Sequence, residues 1–542
     1  MRGISGRDWV LLSQFIKPNE ELLSKFGEVK AQIISNRNLD ENLLESKLKD
    51  LIPPSNLPAM DEAVERIKDS VLKGKRIVLF GDYDVDGITG TAILYDFLKS
   101  AGARVVPLLP SRRRGYGLTK ELARKLSRYA DLLITVDNGT NATEELRELD
   151  LPVIILDHHN PRGELPKATM VNPKLSGEVP REFREISSSG LAFYMSALLR
   201  RELQLDKDVR EYLWLACMGT VADVMPLNRL NRIIVSKGIQ LLNYILKGGG
   251  KAEGIRALME RIGIRNSVSS KDIAFSIAPR LNAPGRVSKP YLSLKLLLTE
   301  DAVKARLFVE AVDRLNELRK RLTQQALEEA MHQATSQTDK NLILVTLDQW
   351  AGGVAGIVAG RLASQFSRPA IVFSIAKEYS TASVRGLEGM DVYTPLESIS
   401  HLFLKWGGHS SAVGLTIRTE DLPIFQRLVR DAFSHVERLQ PSVYVDMELP
   451  TTKINDRLIE DLRSLEPYGE GFPEPVFLSE PLRLEPVYVN RDRVILKAGK
   501  HRLVSWNESL NSVLPSLKGL VRKLLYQVDG RNRDLILVDA EA

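Results

Sequence analysis

From Arg76 onward, short apolar runs alternate with segments of helical periodicity. The runs are RIVLF (76–80), RVVPLLP (104–110), LLITV (132–136) and PVIIL (152–156). Between them, ITGTAILYDFLKSAG (88–102), LTKELARKLSRYA (118–130) and NATEELREL (141–149) carry the spacing of amphipathic or buried helices. Strands that are apolar on both faces and alternate with helices predict a parallel sheet covered by helices on both sides. Such sheets bind ligands at the carboxyl ends of their strands. At those ends stand Asp82, Asp84 and Asp86 after the first strand, Asp137 after the third, and Asp157, His158 and His159 after the fourth. Arg112 follows the second.

A mostly helical stretch comes next and includes SSGLAFYMSALLRREL (188–203) and EYLWLACMGTVADV (211–224), which puts Asp223 at a helix end. Residues 301–335 contain neither glycine nor proline and keep a heptad-like spacing. They predict one long helix of about 50 Å at 1.5 Å per residue, suited to a connector. A second strand–helix–strand unit runs from NLILVTL (341–347) through GVAGIVAGRLASQF (353–366) and RPAIVFSI (368–375) to GGHSSAVGLTI (407–417). YVDMEL, LRLEPVYV, DRVILKA and DLILVDA then read as strands of a small β domain. The expected organisation is an N-terminal segment (1–50), an α/β domain with a parallel sheet (51–300), a connector helix (301–335), a second α/β domain (336–440) and a β domain (441–542).

Composition narrows this picture little. Across 542 residues, 75 basic side chains nearly cancel 69 acidic ones, so a nucleic-acid surface would have to arise by local clustering. The single cysteine, Cys217, excludes a disulfide framework and a cysteine zinc site. No charged-then-apolar leader and no run of about 18 apolar residues occurs, so a cytoplasmic protein is expected. GGGKAEG (248–254) is no phosphate loop, because Ala252 stands where Ser or Thr should follow the lysine.

The acidic edge carries the chemistry. DYDVDG begins like a calcium loop, but the twelfth position counted from Asp82 is Ile93 rather than glutamate. Carboxylates gathered at one edge repel one another unless a cation joins them. Oxygen ligands suit Mg²⁺ or Mn²⁺, and imidazole tilts the choice toward Mn²⁺ or another transition ion. Two such ions about 3.5–4 Å apart can clamp the attacking and leaving oxygens of a phosphoryl displacement. Helix capping would account for Asp137 and Asp86 but not for the adjacent histidines of DHH.

GDYDVDG, VDNG, DHH and GTVADVMPL, in that order, resemble the four signature segments of the DHH phosphoesterase superfamily. Further segments, GYGL, APRLNAPGR, VAGIVAGRL, GGHSSAVGL and PYGEGFPEPVF, resemble the RecJ family of bacterial single-strand-specific 5′→3′ DNA exonucleases within it. The likeness extends from about residue 50 to 480. It implies a DHH domain, a DHH-associated domain and a C-terminal OB-like β-barrel. It also implies that Asp82, Asp84, Asp137, His158 and Asp223 hold two Mn²⁺ or Mg²⁺ ions, with Asp137 bridging. His159 would contact the scissile phosphate, Asp157 would orient a histidine or cap a helix, and Asp86 would stand behind the ligands. Gly408 and His409 would hold the strand beside the metals, a tight structural turn being the alternative. Arg280, Asn282 and Arg286 resemble a phosphate clamp, since guanidinium forks match phosphate oxygens. Ser383 and Arg385 fit the same role or a plain solvated loop, and Arg112 is chosen from the 112–114 cluster to hold the 5′ end. In the C-terminal domain, the last hairpin has Tyr526 alone before it for stacking.

The function so implied is metal-dependent 5′→3′ exonucleolytic hydrolysis of single-stranded DNA in repair and recombination, by a monomer. A single-strand-binding protein or a helicase would be its partner. The alternatives are a DHH phosphodiesterase for oligoribonucleotides, bisphosphorylated nucleotides or cyclic dinucleotides, and a non-catalytic DNA-binding scaffold.

Overall fold

The four apolar runs form strands, and in three of them nearly every side chain is buried on both faces. In the computed structural model they are β1 (Arg76–Gly81), β2 (Arg104–Leu108), β3 (Leu132–Val136) and β4 (Val153–Leu156). The model describes every residue except 55–56, 111–117, 338–340, 388, 437–441, 490–492, 499–500 and 531–533. A fifth strand, β5 (Thr169–Val171), is too short to have been anticipated from its pattern. The sheet runs β2-β1-β3-β4-β5, all parallel. Every residue of β3, β4 and β5 is buried, whereas β2, at the edge, is only partly covered and tolerates Pro107.

The order reverses at β1, whose neighbours on either side are β2 and β3, and that reversal opens the binding crevice of such sheets. Register then sets the edge. Gly81 pairs with Val136, Val136 with Leu156, and Leu156 with Val171. The next residues, Asp82, Asp137, Asp157 and Asn172, therefore form one row, with neighbouring strands about 4.8 Å apart.

Helix α1 (Val85–Ser100) is buried over most of its circumference and packs against α2 (Ser188–Glu202) and α3 (Leu213–Ala222). A Cβ on Gly219 of α3 would lie 2.4 Å from Asp86 Oδ1 and 2.1 Å from Ser189 Oγ. Only glycine lets α3 come this close, and the approach delivers Asp223, its C-cap residue, to the sheet edge.

APRLNAPGR folds as helix α4 (Ala278–Val287), and the connector is one helix, α5 (Ala302–Thr335). One end of α5 packs on α4, and the other on a second sheet. That sheet contains β6 (Ile343–Asp348), β7 (Ala370–Ile375), β8 (Tyr379–Arg385), β9 (Lys405–His409) and β10 (Ala412–Arg418), in the order β9-β10-β8-β7-β6. Helix α6 (Ala355–Phe366) covers one face. GGHSSAVGLTI thus splits into the hairpin β9–β10. Gly408 has φ +152°, and a Cβ there would lie 2.0 Å from the Ala412 carbonyl oxygen. These parts belong to one unit, Ile52–Met225 with Ile234–Leu439.

A second unit joins Met1–Leu51, Pro226–Ile233 and Gln440–Ala542. Its N-terminal strand Asp8–Leu11 pairs in parallel with Ser442–Val445, so residues 1–50 are part of the β domain's fold. The buried Arg37–Asp446 ion pair fastens them, and Asp446 also accepts from Asn36 Nδ2 and the Val476 amide. PYGEGFPEPVF is structural here: Arg232 donates to the carbonyls of Leu465, Glu466 and Pro467 and lies over the Phe472 ring. Among the described residues the main β-sheet has seven strands, from Met447–Glu448 at one edge to Glu485–Val489 at the other, and does not close into a barrel. The two-residue strand at one edge offers too little ladder for closure. Tyr526 lies fully buried, its hydroxyl donating to the Leu449 carbonyl, which removes it as a stacking ring.

Candidate metal centre

The row at the sheet edge gathers the predicted acids. In each of three groups, one ligand atom per residue lies within 4.8 Å of the others: Asp82–Asp84–Asp137, Asp86–His158–Asp223 and Asp137–His158–His159. Asp137 belongs to two groups and is held in the left-handed backbone region, φ +66°, where a non-glycine residue is strained. Its amide donates to the Leu156 carbonyl and its carboxylate accepts from Ser188 Oγ. Asp84 caps α1 through Gly87 N. Asp86 Oδ2 lies 3.9 Å from His158 Nε2, but both its oxygens already accept hydrogen bonds, from the Ser188 and Ser189 amides at the start of α2.

His158 is the decisive side chain. It is 5% exposed, and neither of its ring nitrogens makes a hydrogen bond. Nε2 lies 3.3 Å from Asp137 Oδ1 and 3.3 Å from Asp223 Oδ2. Burial and the neighbouring His159 charge push its pKa down to about 3, so the ring is neutral. A neutral imidazole lone pair aimed among carboxylates is the arrangement a divalent cation requires. Burial and mutual repulsion hold Asp137 and Asp223 well above the usual carboxylate range, and burial pushes Asp86 up to about 6. A bound cation would relieve that repulsion, so the residues present fit the metal. Carboxylate oxygens with one imidazole suit Mn²⁺ or Mg²⁺.

Asp157 serves His159 and not His158. Its Oδ1 lies 2.7 Å from His159 Nδ1 and accepts from the amides of both histidines, while Oδ2 accepts from Thr140 N. Burial opposes ionisation of this pair, but the mutual attraction outweighs it. Asp157 lies well below the usual carboxylate range, and His159 is raised to about 9. His159 is therefore an imidazolium at neutral pH, 44% exposed beside neutral His158.

The downstream candidates divide. Asn282 Oδ1 accepts from Val85 N and so anchors the acidic loop. Arg280 pairs with Asp313 and donates to the Ser276 carbonyl. Arg286 lies where α4 meets the 352–353 turn, a Gly353 Cβ falling 2.3 Å from its carbonyl oxygen. Arg385 donates to the Val384 carbonyl and, with Ser383, borders Gly356 at the start of α6. The pKa of His409, on β9, is lowered by its partial enclosure and by the charges of Arg385, His159, Lys174 and Arg162. Arg112 lies outside the described residues. Sequence reading missed Ser188, Ser189, Thr140 and Asn172, which hold the acids and the DHH loop. Asn172 donates to Thr140 Oγ1 and to the His159 carbonyl. The run SSSG ahead of an apolar helix, a capping signal, pointed to the serines.

Three family descriptions match the chain: DHH family, N-terminal domain, over residues 76–220; DHHA1 domain over 339–435; and RecJ OB domain over 445–512. The single-stranded-DNA-specific exonuclease RecJ of Escherichia coli is 32% identical over 466 residues, 80% of each chain. The chain belongs to the RecJ family. RecJ of Bacillus subtilis is 34% identical over 456 residues, which span 82% of this chain but 57% of that protein. A crystal structure of Thermus thermophilus RecJ in complex with Mn²⁺ superposes with a TM-score of 0.83 at 29% identity, covering 99% of this chain and 79% of that one. The same RecJ in complex with Mg²⁺ gives a TM-score of 0.77. No described helix is long and apolar enough to cross a membrane.

Proposed function

We propose that this RecJ-family chain is a metal-dependent exonuclease that hydrolyses phosphodiester bonds of single-stranded DNA from the 5′ end, in DNA repair and recombination. The observation that carries the reading is His158, buried without a hydrogen bond and 3.3 Å from two carboxylates. In this reading Asp82, Asp84, Asp137, His158 and Asp223 hold two Mn²⁺ or Mg²⁺ ions, with Asp137 shared. Ions so placed would supply an acidified water and a clamp on the attacking and leaving oxygens.

The chain's own residues do the rest. The imidazolium of His159, kept charged by Asp157, meets the developing negative charge on the phosphate oxygens. Ser188 orients Asp137, and Asn282 keeps the acidic loop against α4. Arg385, Ser383 and His409 flank the strand, and Arg112 takes its 5′ end. All of these come from one chain, so a monomer suffices. Delivery of the strand by a single-strand-binding protein or a helicase, and action in the cytoplasm, complete the proposal.

Digestion of 5′- and 3′-labelled single-stranded DNA and RNA with Mn²⁺ and Mg²⁺ tests it. Mononucleotides released from the 5′ end of DNA are expected, with cleavage lost and DNA binding kept in Asp84→Ala and His158→Ala. Full cleavage by either purified variant in excess metal would overturn the metal assignment.

A further inference from the structure

Immediately beyond His159 a shallow pocket of about 330 Å³ opens, lined by Asn160, Lys174, Ser176, Arg184 and Glu185 among others. Among its described lining residues two cations outnumber one carboxylate. Among the described residues the Lys174 ammonium makes neither an ion pair nor a hydrogen bond. Arg184 donates from Nη2 to the Gly177 carbonyl, yet its Nε is buried with no partner. The pocket is tied to the metal centre through Asn172, whose Nδ2 donates to the His159 carbonyl while its Oδ1 accepts from the Lys174 amide. The Lys174 charge reaches His158, Asp223 and His409.

We infer that this pocket is a nucleotide-phosphate subsite adjoining the metal centre, with Lys174 and Arg184 as the anion's partners and Asn160 and Ser176 as polar walls. The phosphate belongs either to the DNA strand or to a free nucleoside monophosphate. The inference builds on the proposed nuclease function.

Lys174→Gln, Arg184→Gln and the double variant, in the full chain, distinguish the sources. KM on a long labelled oligonucleotide and on a dinucleotide would be measured, with the inhibition constant of added dAMP. Occupation by the strand raises KM for the long substrate alone by about tenfold, the scale of one charge-assisted contact. Occupation by free nucleotide raises the dAMP constant by about as much and leaves KM unchanged. If neither quantity moves in a double variant that unfolds at the wild-type temperature, the inference is wrong. Should Arg184→Gln fail to fold, Lys174→Gln decides alone, because that ammonium has no structural contact to lose. A wild-type chain inactive on every nucleic acid would refute the nuclease reading instead, and calorimetry with dAMP would still report on the pocket.

Discussion

Two adjacent histidines with opposite protonation illustrate what single residues contribute here. Asp157 binds His159 and leaves His158 bare, so one ring is a cation and the other a neutral lone-pair donor. The His159 pKa is raised in the folded state to about 9, from an ordinary value of 6.5. Asp157, held well below its ordinary value of 3.8, bounds the window on the acid side, so the pair stabilises the fold in full between about pH 3.8 and 6.5 and loses the His159 contribution as pH rises through about 9. By the same sign, phosphate stabilisation by the imidazolium persists at neutral pH and fades above about 9. Asp157→Asn removes the attraction and leaves burial unopposed. The alkaline limb of the kcat/KM profile should then move to lower pH, with activity at pH 8 falling about 10–100-fold. An unchanged limb would show that His159 does not act as a cation. DHH was legible as a cluster in the sequence, but which histidine takes the aspartate depends on the turn after β4, which no spacing rule specifies.

At the scale of elements, register and close packing decide what the site contains. The strands were readable from apolar runs, and the parallel register placed Asp82, Asp137 and Asp157 in one row. Asn172 completes that row, and its strand was too short to be recognised. Gly219 allows α3 to bring Asp223 in. Gly219→Ala should push Asp86 and Ser189 apart at a cost of about 1–3 kcal/mol, seen as a lower melting temperature and weaker Mn²⁺ binding by calorimetry. Wild-type values for both would show that this approach is not needed. The helical APRLNAPGR has a comparable supporting role: Asn282 holds the first amide of α1. Asn282→Ala should raise the metal Kd with a smaller effect on KM for DNA. A KM effect alone would return Asn282 to the phosphate clamp suggested by its motif.

For the whole molecule, the metal should act as a ligand of the folded state. Mn²⁺ at 100 times its Kd would stabilise the chain by about 2.7 kcal/mol, and chelation would remove that increment. Asp137→Ala should abolish the Mn²⁺-dependent rise in melting temperature while keeping the apo value close to the wild type. A rise equal to the wild type's would place the metal elsewhere. In the β-domain unit, Arg37→Ala leaves the Asp446 carboxylate buried without its cation, a loss of about 3–5 kcal/mol. Its melting transition should fall while cleavage of a dinucleotide is kept.

Sequence by itself determined the apolar strands, the helices between them, the 34-residue connector and the acidic edge, because strand and helix periods and strand-end position are local properties. Three matters were decided only by the tertiary structure. Residues 1–50 became part of the β domain because strand Asp8–Leu11 found its partner more than 400 positions away. Asn282 and Arg280 were turned toward Val85 and Asp313, contacts set by helix packing. The turn after β4 gave Asp157 to His159 and left the His158 ring without a hydrogen bond beside Asp137 and Asp223. Long-range pairing and close approach depend on the whole chain's packing, and no local pattern encodes them.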